Sequence, residues 1–354
     1  MSEFVLYAYP ADAPRAAHVR VFVNQQEAFV YCTAAAAFVC FSCAGAVELR
    51  AEFTRPVAGV RVRPYSRGLT AVADGQTVSL SLPHPALFCI ETHGDVPLYI
   101  FANPPEDDVP APDDPGVRWF AGGRNYDIGE LRLHDNETLY LAGGAVLRGC
   151  VRALHARNIR VRGHGILDGS LMHGPGRRRR LMLFDHCRHV SVDGIVMIEP
   201  PSWMLVLGAC QDVSVRNVKQ LGAVVTSDGV DIVGSSRVEI DGCLIANNDD
   251  CIAIKSVTYK DRPHDPHEDL SGNVAAVRVR GCAFFNGPAG NAMEIGYELQ
   301  ADLIEDVVFS DCDVVHVHGF GAAISTHNSD RALVRAIRYE NIRVEHCYDK
   351  LVEL

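Results

Sequence analysis

Val238-Glu-Ile-Asp-Gly-Cys-Leu-Ile-Ala-Asn247 carries the pattern on which the fold turns: a short β-branched run, a turn at Asp-Gly, a cysteine, and a second apolar run. Its opening returns at Ile159-Arg-Val161, Val190-Ser-Val192, Val213-Ser-Val215, Val277-Arg-Val279, Val307-Val-Phe309 and Ile337-Arg-Tyr339, each soon followed by Gly, Asn or Asp. The starts are 31, 23, 25, 39, 30 and 30 residues apart, and Cys243, Cys282 and Cys312 fall at the same point of three units. A period in this range marks a solenoid. Neither a Leu-x-x-Leu-x-Leu pattern nor a helical 3.6 period is present. β-branched runs joined by Gly, Asn and Asp turns predict a parallel β-helix, with inward Val, Ile and Cys stacked in ladders ~4.8 Å apart.

Upstream, short alternating runs at Arg20–Val23, Val47–Arg50, Val60–Arg63, Val78–Leu82 and Leu98–Phe101 predict an antiparallel β-sandwich. Pro104–Pro115 is rich in Pro and acid and can neither pair in a sheet nor continue a helix. The expected organisation is all-β: a sandwich with its linker over 1–115, then the solenoid over 116–354. The 39-residue step contains the polar insert Thr258–Gly272, which should leave the stack as a loop.

The 354 residues carry 33 Lys and Arg against 44 Asp and Glu, a net charge of −11. That balance argues against nucleic-acid and anionic-membrane partners, which need basic faces. Apolar residues make up 48%, enough for a real core. The run Ala28–Val47 is uncharged but carries no Leu or Ile, so it reads as buried strands rather than a membrane span. No secretory signal is visible, and the expected location is cytoplasmic. The twelve cysteines then read as reduced, buried thiols, and Cys40-Phe-Ser-Cys43 lacks the second pair that a zinc site needs.

Chemistry concentrates at one offset from the repeat anchors. Trp203 lies 13 residues past Val190, Asp228 15 past Val213, and Asp249 and Asp250 11 and 12 past Val238. Asn291 and Glu294 lie 14 and 17 past Val277. Coil stacking should line these residues up in one stripe. Three carboxyls on coils ~5 Å apart cannot all ionise cheaply, so at least one should keep its proton near neutral pH. A protonated carboxyl beside an ionised one is the equipment of acid–base glycoside hydrolysis, and inverting enzymes separate the two by ~6.5–9.5 Å. Calcium is the weaker reading of the same oxygens, since no Asp-x-Asp ladder appears. No metal or cofactor is expected.

Asp249-Asp-Cys-Ile-Ala-Ile-Lys-Ser256 resembles the Asp-Asp-Cys-x-x-x-x-Ser segment of the polygalacturonases, glycoside hydrolase family 28. Thr226-Ser-Asp-Gly229 sits where that family has Asn-Thr-Asp-Gly. Arg180-Leu-Met-Leu-Phe184 and Pro201-Ser-Trp-Met-Leu205 are similar to two further segments of it. The resemblance covers roughly 139–345. It implies a right-handed, pectin-lyase-like β-helix and inverting cleavage, with Asp249 as general acid and Asp228 and Asp250 activating the water. Two features depart from the pattern. Gly290-Asn-Ala292 replaces the family's Gly-His-Gly, and the uronate-gripping Arg-Ile-Lys has no counterpart near Phe320–His327. Asn248–Asp250, Glu294–Tyr297 and the leading sandwich are similar to the dextranase and isopullulanase family, family 49, in which the same three Asp keep their roles.

The resemblance leaves three functional classes: a hydrolase of poly- or oligosaccharides, a carbohydrate-binding β-helix with a dead site, and a lyase or epimerase on the same scaffold. The last needs a cation or metal beside a sugar carboxylate, and the stripe shows no Arg or Lys. Asn291, Glu294, Tyr297, Trp203 and Lys255 are the candidate substrate-binding residues, with Tyr297 or Trp203 able to stack on a neutral sugar. Lys255 reads more readily as an outward surface lysine than as a salt partner of Asp250. Arg177–Arg180 reads as a solvated loop edge. Among the histidines, His264, His267, His316, His318 and His327 are within reach of the stripe, and nothing in the sequence selects one.

Overall fold

A computed structural model describes residues 4–94, 96–174, 180–258 and 269–354. The seven anchors of the repeat stand side by side in one nine-stranded parallel sheet. Its register pairs Ile159 with Val190, Val190 with Val213, Val213 with Val238, Val238 with Val277, Val277 with Val307, and Val307 with Ile337. The residue before every anchor has a left-handed backbone: Asn158, His189, Asp212, Arg237, Ala276, Asp306 and Ala336, with φ between 54° and 59°. The ladder skips that residue on each strand, as a stacked bulge does. It turns the anchor inward while the flanking polar residues stay out.

Each coil has two further strands, which run in parallel rows within a seventeen-stranded sheet. One row includes Lys219–Leu221, Leu244–Asn247 and Ala283–Asn286; the other includes Val230–Val233, Ile252–Thr258 and Met293–Leu299. The molecule is therefore a right-handed parallel β-helix. Its lumen holds Val190, Val213, Val238, Val277 and Val307 in one column, all buried. Cys282 lies thiol to thiol between Cys243 and Cys312. All twelve cysteines are free thiols.

Residues 4–103 form two sheets. A five-stranded antiparallel sheet is centred on Val19–Val23 and Val47–Phe53. A six-stranded sheet is centred on Ala37–Cys43 and Leu98–Asn103, and these two strands pair in parallel, a departure from a purely antiparallel arrangement. Val21, Leu49 and Leu80 of the first meet Val39, Phe41 and Ile100 of the second in one core. Ala37–Cys43 is buried along its whole length. Its odd positions face that core, whereas Phe38 and Cys40 pack with Phe101 against Ile166, Val196, Leu221, Leu244 and Phe285 of the β-helix. A strand buried on both faces reads as a continuous apolar run, which accounts for the missing charge in 28–47. No described helix is long and apolar enough to cross a membrane.

Candidate active site

The turns between the two rows of the large sheet carry the three aspartates. Asp228 precedes the strand Val230–Val233, and Asp249 and Asp250 precede Ile252–Thr258. Short polar turns would fray if their backbone groups went unpaired, and buried amides prevent this. The Asn247 side chain donates to the carbonyls of Ser227 and Asp250, at 2.7 and 2.8 Å. Asn286, its register partner one coil on, donates to the Asp249 carbonyl at 2.6 Å. The next turn comes so close that a Cβ on Gly290, whose φ is +72°, would lie 2.3 Å from the Asp249 carbonyl carbon. Only glycine fits there.

One oxygen from each of Asp228, Asp249 and Asp250 lies within 4.8 Å of the others. The stripe thus converges on one point. Asp228 and Asp250 are buried and Asp249 is half-buried, so the cluster meets solvent through Asp249. Such oxygens can hold a hard cation. Here the Lys255 ammonium takes that place, 2.6 Å from Asp228 Oδ2 and 4.0 Å from Asp250 Oδ2.

Lys255 is 5% exposed, so the outward-lysine expectation is corrected. It is a salt partner, but of Asp228 more than of Asp250. Nζ also lies 3.1 Å from Asp231 Oδ1, a fourth carboxylate that the sequence reading missed. Asp231 is 0% exposed, and no well-directed hydrogen bond reaches either of its oxygens. Its signal was present: it is the lone charge inside Val230-Asp-Ile-Val233, and its register partners are Ala253 and, one coil on, Glu294. Trp203 lies under two cations, with Arg180 Cζ 3.9 Å and Lys255 Nζ 4.3 Å from its ring centroid. Arg180 is buried rather than a solvated loop edge; Arg177 to Arg179 lie outside the described residues.

Burial, and then the charge of Asp228, lift the Asp249 carboxyl to about 7, against the pull of Lys255 and the Asp250 N–H. Burial also pushes Asp250 and Asp231 well above the ordinary carboxylate range. In Lys255, burial opposes the charge, but Asp228, Asp231 and Asp250 outweigh it and hold the ammonium well above the usual lysine value. One buried ammonium cannot neutralise four carboxylates. The set therefore titrates as a coupled unit and retains protons at neutral pH.

Asn291 is bonded to Asp250. Its backbone and side-chain N–H groups donate to Asp250 Oδ1 at 2.8 and 3.1 Å, and its Oδ1 accepts from Ala322 N–H at 2.7 Å. Glu294 is 1% exposed and lies behind His327, whose Nδ1 is 3.0 Å from Oε1. Tyr297 is the exposed member of the predicted set. Of the five candidate histidines, the structure brings His327 to the stripe. His316 and His318 instead line a cavity of ≈ 490 Å³ behind the aspartate turns, with Asn248, Glu91 and Tyr99. His264 and His267 lie outside the described residues, as does most of the Thr258–Gly272 insert; Leu270 packs on Leu183, Val206 and Val233 beside Trp203.

Residues 154–352, more than half of the chain, match the family model described as glycosyl hydrolases family 28. The chain is 29% identical over 112 residues to a polygalacturonase of Chamaecyparis obtusa and 29% over 159 residues to one of Juniperus ashei, matches that cover 30% and 37% of this chain. They span only 22% and 31% of those proteins, so less than a third of either relative is represented. Among solved structures, Dex49A from Penicillium minioluteum superposes with a TM-score of 0.66 at 14% identity, over 96% of this chain and 85% of that one. This last likeness is one of fold, and it extends across the leading sheets as well as the solenoid. With the family match spanning the coils that hold Asp228, Asp249 and Asp250, the chain belongs to glycosyl hydrolases family 28.

Proposed function

We propose that the protein hydrolyses O-glycosidic bonds of a poly- or oligosaccharide with inversion at the anomeric carbon. The observation that carries this reading is the contrast inside the carboxyl cluster. Asp249 meets solvent with a proton affinity near 7, while Asp228 is ion-paired to Lys255 at 2.6 Å. A carboxyl that keeps its proton at neutral pH donates it to the leaving oxygen. Asp228, with Asp250 held by Asn291, receives the water on the opposite side and takes its proton. Oxygens less than 5 Å apart can share one bound water. As the bond breaks, Asp249 becomes the anion and the water's proton joins Asp228, so the cluster's charge is conserved.

The absence of a Gly-His-Gly histidine does not empty the site, since Asn291 fixes Asp250 from the same turn. A lyase or epimerase would need a free base beside the sugar. Lys255 is the nearest candidate, and three carboxylates hold it protonated. The test is a panel of polygalacturonate, dextran and pullulan with reducing-end detection. Release by the wild type, lost in Asp249→Asn, supports the reading. An unsaturated product absorbing in the ultraviolet would replace it with elimination. Binding of a panel saccharide with no release would leave a binding module.

A further inference from the structure

The row of turns that carries Asp249 continues past it to exposed aromatic rings. A Cβ on Gly290 would meet Asp249, and one on Gly321 would meet Gly290 O. Ala322 N–H donates to Asn291 Oδ1, and Tyr348 N–H donates to Val317 O at 3.0 Å. The turns at Asp249, Asn291, Phe320 and Tyr348 therefore stack in sequence. Phe320 and Tyr348 stand two and three coils beyond Asp249, about 10 and about 14 Å along the axis at ~4.8 Å per coil. Phe320 is 75% exposed and Tyr348 66%, and their rings meet edge to face at 6.1 Å. Two large rings left in water, in line with a reactive cluster, mark a binding surface.

We propose that Phe320 and Tyr348 form a saccharide subsite that stacks on neutral pyranose units of a chain whose scissile bond lies at Asp249. The inference rests on the hydrolase reading for the position of that bond. The class of sugar follows from the surrounding charges. His327 lies between Glu294 and Glu353, with Nδ1 and Nε2 at 3.0 and 3.5 Å from their oxygens. Lys350, on the strand that follows Tyr348, is held by Glu353 at 2.8 Å and faces Asp349 at 3.8 Å. Lys350, the described lysine beside Tyr348, is thus already met by carboxylates. A uronate would bring a further negative charge to an acidic wall, whereas a neutral sugar offers an apolar C–H face to the rings and hydroxyls to the carboxylates.

The test uses the Asp249→Asn protein, so that ligands persist, and reads binding by calorimetry. The probes are hexasaccharides of the dextran, pullulan-type and cellulose series, their disaccharides, and hexagalacturonate. Phe320→Ala and Tyr348→Ala should each weaken hexasaccharide binding by about three- to tenfold, the scale of one aromatic contact. Disaccharide binding should change less than twofold, because two units at the reactive cluster do not reach the rings. Hexagalacturonate should bind more weakly than the best neutral hexasaccharide. Equal losses for short and long chains, no loss in either variant, preference for hexagalacturonate, or no neutral probe bound would each overturn the subsite. Tyr348→Phe, which keeps the ring, should restore binding and guards against a folding artefact. A wild type without turnover, together with length-dependent stacking, would sink the hydrolase reading and spare the subsite.

Discussion

The Lys255 ammonium lies 2.6 Å from Asp228 Oδ2, inside a site where both side chains are almost wholly removed from water. The pair joins two successive coils at the reactive cluster, and Asp231 shares the same ammonium. Replacing Lys255 by Met keeps the stem and deletes the charge. The carboxylates left behind are buried and unpaired, a situation that costs about 3–5 kcal/mol. The loss should be largest at neutral and alkaline pH and shrink in acid, where the carboxyls protonate and no longer need a cation. In the wild type the sign runs the other way at high pH. The lysine's folded value is raised, so its contribution is complete below about 10.4 and fades only as pH climbs through that raised value. Urea unfolding of wild type and Lys255→Met at pH 5, 7 and 9 measures this, and equal stability at pH 7 would count against the buried pair.

Replacing Asp249 should act in the opposite sense to replacing Lys255. The folded Asp249 carboxyl titrates near 7 against an ordinary 3.8. Between those values the folded protein holds a proton that the unfolded chain has released, so stability falls as pH rises through that window. Asp249→Asn removes the fall while its amide oxygen can still accept the Asp250 N–H. The variant should gain on the order of 2 kcal/mol over wild type between pH 4 and pH 7 while losing turnover. Thermal melts across that range check it; a constant offset would show that the carboxyl is not strained.

Asn291 holds Asp250 Oδ1 with two N–H groups and spends its own oxygen on Ala322. Asn291→Ala deletes the side-chain bond and frees the carboxylate to turn. Misplacement of a reacting group by about 1 Å costs on the order of a hundredfold. A fall of that order in kcat with KM within about threefold is expected. A change in KM alone would make Asn291 a substrate contact instead, as the sequence first suggested.

The stack was legible because its signal is periodic. Val190, Val213, Val238, Val277 and Val307 repeat in sequence and pair in register. Asp228, Asp249 and Asp250 could be placed together for the same reason, being fixed to the same ladder. Asp231 escaped, and the salt-partner reading of Lys255 ranked below an outward one, because strand alternation sends both out of the lumen and an outward lysine normally meets water. What buries them is the neighbouring surface: Trp203, Arg180 and the facing turns, none of which has a fixed sequence distance from either residue. The parallel pairing of Ala37–Cys43 with Leu98–Asn103 was hidden too, since strands some sixty residues apart carry no local mark of direction.

The most direct test of the central claim is the anomeric form of the first product, followed by proton NMR during turnover of whichever panel saccharide is cleaved, across pH 5 to 9. The account predicts inverted configuration and a rate that falls tenfold per unit above about pH 7, as Asp249 loses its proton. Retained configuration, or undiminished turnover by Asp249→Asn, would contradict it.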